Sequence, residues 1–190
     1  MAAPSEVIVV AALRTELLFV RGPKAALGVG ERAGAALQAL LKRRSPKGVA
    51  VVGYAGGLRA DLRPGVLVLA DRVLDEKGGL EVDPALLRQA QKRLPKARIG
   101  PLFTDRRLTP REEKEKLGER ALAVDMETSH LARVLSAQGI PFLALRVILD
   151  AYEEEAPEDG RKVLWAGRAL RCSWILGRAA EALREALCAA

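Results

Sequence analysis

A chain of 190 residues that is 49% hydrophobic can bury a substantial core, and its length predicts one domain over residues 1–190. The net charge of +7 would suit a nucleic acid, but aromatic residues make up only 4% of the chain and the basic residues are interleaved with acids, so we expect no nucleic-acid partner. No apolar run approaches the ~20 residues that span a bilayer, and the N-terminus lacks a signal-peptide pattern, which predicts a cytoplasmic protein without a membrane partner.

Apolar runs typical of buried strands alternate with segments of helical spacing along the chain. Strands are predicted at residues 6–12, 25–27, 48–53, 66–74, 97–103, 121–124 and 141–148. Helices are predicted at a short segment through Glu16 and at residues 31–44, 84–94, 127–138 and 162–187. A further, charged helix follows Thr109-Pro110-Arg111-Glu112, which has the spacing of a capping box. The alternation predicts an α/β fold with a mainly parallel central sheet.

Three acids, Glu16, Glu127 and Asp150, lie just beyond predicted strands. Ligands bind at the strand ends of open α/β sheets, so these carboxylates are expected to gather at one edge. Carboxylates are expensive beside a core unless they are hydrogen-bonded or used, so the segment 123–128 indicates an enzyme. Structural roles remain open: Glu16 as an exposed helix acid and Glu127 as a first-turn acid facing the helix dipole. Asp150 has the alternatives of a helix cap or an ion pair with Arg146.

The other motifs are weaker. The segment 53–57 follows a strand and is glycine-rich, which allows either close approach of the backbone to a ligand or a simple turn. Gly28-Val29-Gly30 lacks a third glycine at the dinucleotide spacing, so it predicts no dinucleotide site. The single histidine, His130, has no neighbouring ligand, and Cys172 and Cys188 lack metal or redox spacing. We therefore expect no metal site and two reduced thiols.

In chain order, these segments resemble the nucleoside phosphorylase/nucleosidase superfamily. The matching segments are residues 6–16, the Gly28-Val29-Gly30 turn, residues 53–57 with 61–65 and 68–71, Val124-Asp125-Met126-Glu127, and Arg146-Val147-Ile148-Leu149-Asp150. Their spelling is most similar to methylthioadenosine/S-adenosylhomocysteine nucleosidases and to short hopanoid-associated phosphorylases. The resemblance implies a single domain in which a mixed, mainly parallel sheet is flanked by helices as a three-layer sandwich.

The resemblance also implies an enzyme that cleaves the N-glycosidic bond of a purine nucleoside or a 5′-substituted nucleoside. Breaking that bond builds positive charge on the sugar and negative charge on the departing base. By resemblance, Glu127 would bind the ribose hydroxyls, with Met126 against the sugar. Asp150 would be the general acid at the base, and Glu16 would position or deprotonate the attacking water.

Further contacts follow from the same resemblance. Tyr54, Ala55 and Gly56 would lie on the nucleophile side of the substrate, and Thr104 and Asp105 are the polar candidates for contacting the base. No cofactor or metal is implied, although phosphate would be the co-substrate of a phosphorylase. Members of the family form oligomers, so a homo-oligomer is expected, with a dimer favoured.

Two readings of the nucleophile remain open. A carboxylate at Glu16 repels phosphate, which favours water and hydrolysis. Phosphorolysis stays an alternative because Arg14, Arg21 and Arg59 are candidate anion ligands.

A third reading is a non-catalytic nucleoside-binding protein. It is motivated by Tyr54, which replaces the family's serine or threonine, and by Leu149, which replaces the serine before the aspartate. The sequence does not identify the base, the 5′ substituent or the pathway.

Overall fold

The computed structural model describes residues 6–107, 109–154 and 162–189, with side chains of the last range described from residue 165. The strands are β1 (Val7–Ala11), β2 (Lys24–Ala26), β3 (Gly48–Gly57), β4 (Leu67–Asp75), β5 (Gly78–Glu81), β6 (Arg98–Thr104), β7 (Ala123–Asp125) and β8 (Phe142–Asp150). The helices are α1 (Glu31–Leu41), α2 (Pro84–Arg93), α3 (Arg111–Gly118), α4 (Thr128–Ala137) and α5 (Lys162–Cys188), with a short 3-10 helix at Thr15–Leu17.

The described strands form one 8-stranded sheet in the order β2-β1-β3-β7-β6-β4-β5, with β8 pairing with both β3 and β4. Strand β1 is parallel to β2 and β3, β3 is parallel to β8, and β6 is parallel to β4 and β7. Antiparallel pairs join β3 to β7 and β4 to β5 and β8. The sheet is therefore mixed and mainly parallel, as predicted.

Helices cover the sheet in two packed pairs. Helix α5 contacts α2, β1, β3 and β8, whereas α1 packs against α4, which contacts β4 and β6. All of β1 is buried, as expected for a strand covered on both faces. The three-layer α/β fold implied by the sequence is thus confirmed. Among the described helices, none combines the length and apolar character needed to cross a membrane.

Three local features differ from what the sequence indicated. The glycine-rich segment 53–57 is not a turn, because β3 continues through it. The short strand β5 pairs with the end of β4 as a hairpin that the sequence reading did not include. Helix α3 has Pro110 as its N-cap without a side-chain cap, since the Thr109 hydroxyl donates to Asp105 instead.

Candidate active site

A cavity of about 230 Å³ lies at the strand ends of the sheet. Its wall is formed by the segments that end or follow β1, β3, β7 and β8, which is where α/β folds bind ligands. Glu16, Glu127 and Asp150 all belong to this wall, so the predicted convergence is observed. The full wall comprises Ala12, Leu13, Glu16, Val29, Tyr54, Ala55, Gly56, Arg107, Thr109, Lys114, Val124, Asp125, Met126, Glu127, Leu149, Asp150 and Trp165.

Two glycines of β3 make room for side chains that surround the cavity. A Cβ at Gly53 would overlap the Arg146 guanidinium and lie 2.8 Å from the Oε1 of Glu16. A Cβ at Gly56 would lie 2.8 Å from the Oδ2 of Asp150. The glycines therefore accommodate the protein's own functional groups.

The Glu16 carboxylate is buried and held by the backbone. Its two oxygens accept hydrogen bonds from the N–H of Leu13 at 2.6 Å and of Tyr54 at 2.8 Å. Burial raises the pKa of Glu16, although the nearby Arg146 charge and these two N–H donors oppose the rise. Glu16 is thus a buried proton acceptor, and its alternative role as an exposed helix acid is wrong because only 3% of the residue is exposed.

Arg146 forms the centre of a buried charge cluster behind the cavity. Its Nη2 lies 2.5 Å from Asp125 and 3.7 Å from Glu127, and it donates to the Thr128 hydroxyl at 2.7 Å. Burial alone would lower the pKa of Arg146, but the carboxylates around it raise that pKa above its ordinary value. The buried Nη1 of Arg146 has no acceptor among the described residues. A free donor beside Glu16 suits a small polar group such as water.

Glu127 is the N-cap residue of α4, but it does not use its side chain as the cap. Its side chain makes no cap hydrogen bond to α4, and its Oε1 accepts from the N–H of Gly30 at 3.3 Å. Burial raises the pKa of Glu127 to about 7, with Arg146 opposing and Asp125 adding to the rise. This carboxyl group can therefore change its charge near neutral pH inside the cavity wall.

Asp150, the last residue of β8, pairs with Lys114 of α3. Lys114 Nζ lies 2.9 Å from Asp150 Oδ2, and only 3% of the lysine side chain is exposed. The ion pair with Arg146 that the sequence left open for Asp150 is wrong, since Arg146 pairs with Asp125. The strand pairing shifts between Ala55 and Gly56, so that Gly56 faces Asp150 and Leu149 is the extra residue of a bulge.

The Tyr54 ring does not fill the cavity. Its hydroxyl is 2.6 Å from the Ser173 hydroxyl and donates to the carbonyl of Ala169 at 3.1 Å, both on α5. The ring is therefore anchored against that helix and contributes only to the wall, where Ala55 and Gly56 also lie.

The sequence comparison agrees with this geometry. The family model of the Phosphorylase superfamily matches residues 9–171, a span that contains the whole cavity wall. This chain belongs to the phosphorylase superfamily. A comparison with curated protein sequences gave no significant match.

Solved structures share the superfamily fold over nearly the full chain. The 5′-methylthioadenosine/S-adenosylhomocysteine nucleosidase of S. pneumoniae, bound to a transition-state inhibitor, has a TM-score of 0.80 at 16% identity, covering 96% of this chain and 99% of that one. The Helicobacter pylori nucleosidase has a TM-score of 0.82 at 18% identity, with 95% and 98% covered. Futalosine hydrolase of Helicobacter pylori has a TM-score of 0.81 at 18% identity, with 95% and 97% covered.

Thr104 and Asp105, the two candidates for contacting the base, lie outside the cavity wall. Thr104 donates to Asp125 at 2.8 Å and accepts from the N–H of Ser129 at 2.9 Å, so it supports the charge cluster. Asp105 accepts from its neighbouring backbone N–H and from Thr109. Neither residue lines the cavity. The family resemblance predicts base contacts between Phe103 and Leu108, and Leu108 lies outside the described residues.

Lys114 is the functional candidate that the sequence reading missed. A lysine in a charged helix is expected to be exposed to solvent, and helix α3 as a whole is polar. The available signal is that Leu117, one turn later on the same helix face, packs against the apolar cluster of Leu58 and Phe103. Arg107, Thr109 and Trp165 are further wall residues that the sequence did not predict.

No metal centre is indicated in the part of the chain that the structure describes. Within it, no three His, Cys, Asp or Glu side chains form a group that could hold a metal ion. Both cysteines are free, with Cys172 buried and Cys188 exposed.

Proposed function

We propose that this protein hydrolyses the N-glycosidic bond of a purine nucleoside or of a 5′-substituted nucleoside. The observation that carries the proposal is that Glu16, Glu127 and Asp150 line one cavity, although they are far apart in the sequence. The Phosphorylase superfamily match supports an enzyme acting on nucleosides. The structural relatives include nucleosidases of 5′-methylthioadenosine and S-adenosylhomocysteine and a futalosine hydrolase.

The three carboxyl groups have separate tasks in this reaction. Glu127 as a carboxylate accepts hydrogen bonds from the ribose hydroxyls and stabilises the positive charge that develops on the sugar, while Met126 packs against the ring. Asp150 hands a proton to the departing base. Glu16 takes the proton of the attacking water as the new C–O bond forms. These proton transfers need no cofactor.

Two features of the Glu16 side favour water over phosphate. The N–H of Tyr54, a donor that an anion could use, is already bonded to the Glu16 carboxylate at 2.8 Å. A phosphate placed there would meet the negative charge of Glu16. The candidate anion ligands Arg14, Arg21 and Arg59 are absent from the cavity wall. Phosphorolysis therefore has less support than hydrolysis.

A binding-only role is less well supported than catalysis. That hypothesis rested on Tyr54 and Leu149, but the tyrosine is anchored to α5 and the leucine is the extra residue of the bulge before Asp150. Both changes leave the carboxyl groups of the wall in place.

The apolar end of the cavity suggests the kind of 5′ group. Leu13 and Val29 line the wall and are each 43% exposed, and we place the 5′ substituent against these two apolar side chains. We therefore favour an apolar 5′ substituent over a 5′ phosphate.

We further propose a cytoplasmic homodimer. A groove on the surface of the described chain is lined by Leu18, Phe19 and Trp174, which are 57%, 41% and 51% exposed. Large apolar side chains that are exposed side by side are typical of a contact between subunits. A second copy of this chain is the partner that we propose.

The test is product analysis with inosine, adenosine and 5′-methylthioadenosine, each with and without phosphate. We expect free base and free sugar at a rate that does not depend on phosphate. Ribose 1-phosphate as the product would overturn hydrolysis in favour of phosphorolysis. Binding of a nucleoside without base release by the wild type would establish the binding-only role, and Asp150→Asn is the matched inactive control.

A further inference from the structure

Lys114 is buried although its neighbours on helix α3 are exposed to solvent. Lys114 is only 2% exposed, whereas its neighbours Glu115 and Lys116 are exposed. Lysine is almost never fully buried unless it is paired, because the ammonium loses its hydration. Its position therefore calls for an explanation in the chemistry of the cavity.

The ammonium of Lys114 has an acceptor for each of its three protons. Nζ lies 2.9 Å from Asp150 Oδ2, 2.8 Å from the carbonyl oxygen of Glu154 and 3.2 Å from that of Ala151. One of the three is thus a side chain of the cavity wall, and the other two fix the chain that follows it.

A second cation, Arg168, also binds the chain on either side of Asp150 but is not hydrogen-bonded to the Asp150 carboxylate. Arg168 of α5 donates to the Glu154 carboxylate at 2.6 Å and to the Leu149 carbonyl at 3.1 Å. Its guanidinium is committed to these acceptors, so the cation bonded to the Asp150 carboxylate is Lys114.

We propose that Lys114 is a positioning residue that supplies, through Asp150, the proton taken by the departing base. The inference rests on the proposed function, because it concerns the leaving group of that reaction. An ionised Asp150 accepts protons and has none of its own to give. The nearest proton is on the Lys114 ammonium, at hydrogen-bond distance.

The proton balance of the step is complete. The bond between C1′ and the base nitrogen breaks, and its electron pair moves to the base. Lys114 Nζ first transfers a proton to Asp150 Oδ2, and the same proton then passes from the Asp150 carboxyl to a ring nitrogen of the base. The base leaves neutral, Asp150 remains a carboxylate and Lys114 becomes a neutral amine. Water adds to C1′ and gives its proton to Glu16, and solvent restores the Lys114 proton after the base has left.

Burial makes this transfer feasible. Moving a proton across the Lys114–Asp150 hydrogen bond converts an ion pair into two neutral groups. In water such a move loses the hydration of both ions, but the buried lysine has already lost most of its hydration. The pair thus holds a transferable proton beside the cavity.

The experiment compares two substrates with different needs for a proton. A purine leaves poorly without protonation, whereas 4-nitrophenolate leaves from 4-nitrophenyl β-D-riboside without it. For Lys114→Met we expect kcat with inosine or 5′-methylthioadenosine to fall ~10²-fold while kcat with the nitrophenyl riboside stays within about threefold. KM should change little in both reactions, because the three ammonium protons of Lys114 are bonded to acceptors of the protein itself.

A second variant of Lys114 separates proton transfer from the effect of its positive charge, and a variant of Lys116 is the control. Lys114→Arg keeps the positive charge but holds its proton too tightly to give it up, so we expect it to remain as slow as Lys114→Met on the purine nucleoside. Full recovery of kcat in Lys114→Arg would overturn the proposal, because charge alone would then suffice. Lys116→Met, on the exposed side of the same helix, is the control and should behave as wild type on both substrates.

Equal losses on the two substrates, whether from misfolding or from a displaced Asp150, would also overturn the proposal. Wild-type protein that cleaves neither substrate would instead contradict the proposed function, so the two failures are distinguishable.

Discussion

Glu127 is buried beside the Arg146 guanidinium, and its burial makes it the residue that links the protein to pH. Arg146 attracts Asp125, Glu127 and Glu16 in a buried site. Burial favours the protonated forms of Glu127 and Glu16, and the single positive charge of Arg146 opposes this effect without cancelling it. The pKa of Glu127 is raised to about 7 and that of Glu16 is also raised.

We expect the free energy of unfolding to decrease as the pH rises from 4.5 to about 7. Folded Glu127 keeps its proton up to a pKa of about 7, whereas its ordinary value in an unfolded chain is 4.5. The folded state binds more protons in that window, so removing protons destabilises it. The effect of this one group is about 3 kcal/mol, and Glu16 acts in the same direction. Urea unfolding at pH 5 and pH 8 measures it.

The matched variants are Glu127→Gln and Glu115→Gln. The first removes the titrating group and should reduce the difference between the two pH values, while the second changes an exposed glutamate of α3 and should keep it. An unchanged difference in Glu127→Gln would contradict the assignment.

Activity should show the opposite trend across the same pH range. Glu127 accepts from the ribose hydroxyls and stabilises the sugar cation only when it is ionised, so kcat/KM for a purine nucleoside should rise with pH through about 7. Glu127→Gln should lower kcat/KM ~10²-fold and remove this rise. The measurement is initial rates of base release from pH 5.5 to 8.5. If Glu127→Gln retains the rise of kcat/KM with pH, the rise is due to the titration of another group.

At the scale of single elements, strand β3 determines whether the site can form. Its residues 53 and 56 stand where Arg146, Glu16 and Asp150 occupy the space that a Cβ would need. These contacts are long-range, and the local sequence contains no sign of them. Glycine also weakens strand propensity, so the segment was predicted as a turn or a ligand-binding loop although it continues the strand.

Gly53→Ala tests this role of β3. The added Cβ would overlap the Arg146 guanidinium, and a fully packed site relaxes only at the cost of displaced side chains. We expect a destabilisation of ~1–3 kcal/mol and a loss of base-releasing activity, since Glu16 is displaced as well. Thermal unfolding and the nucleoside assay give both readouts.

Gly167→Ala is the control for that substitution. It lies in α5 with nothing within 4 Å of the new Cβ, so we expect unchanged activity and a stabilisation of up to ~1 kcal/mol from better helix propensity. Equal behaviour of the two alanine variants would show that the space beside Gly53 is not critical.

At the scale of the whole molecule, the sequence predicted the fold well because its signals are local and repeated. Buried strands such as β1 are continuous apolar runs, and Asp83 caps α2 with Pro84 in the first turn. The convergence of Glu16, Glu127 and Asp150 followed from the rule for strand ends. The partner of Asp150 could not be predicted, because α3 brings Lys114 to it from 36 residues away through packing alone.

The exposed apolar groove supports the last prediction, which concerns assembly. It lies between the segment after the 3-10 helix and the middle of α5, and its lining also contains four charged residues, Arg21, Arg178, Glu181 and Arg184. A two-fold contact would bury Trp174 and bring Arg178 of one copy near Glu181 of the other, which is 3.2 Å from Arg184 of its own chain. We therefore expect a dimer in solution whose melting temperature rises with protein concentration.

Trp174→Lys tests this contact, because a buried charge at its centre would oppose association while the monomer keeps its fold, since the residue is 51% exposed. Light scattering after size exclusion should give twice the monomer mass for the wild type and the monomer mass for Trp174→Lys. Leu170→Lys is the control: Leu170 is 52% exposed on the same helix but lies outside the groove, so this variant should remain dimeric. If both lysine variants stay dimeric, the groove is not the interface, and if the wild type is monomeric at every concentration, its apolar lining needs a different partner.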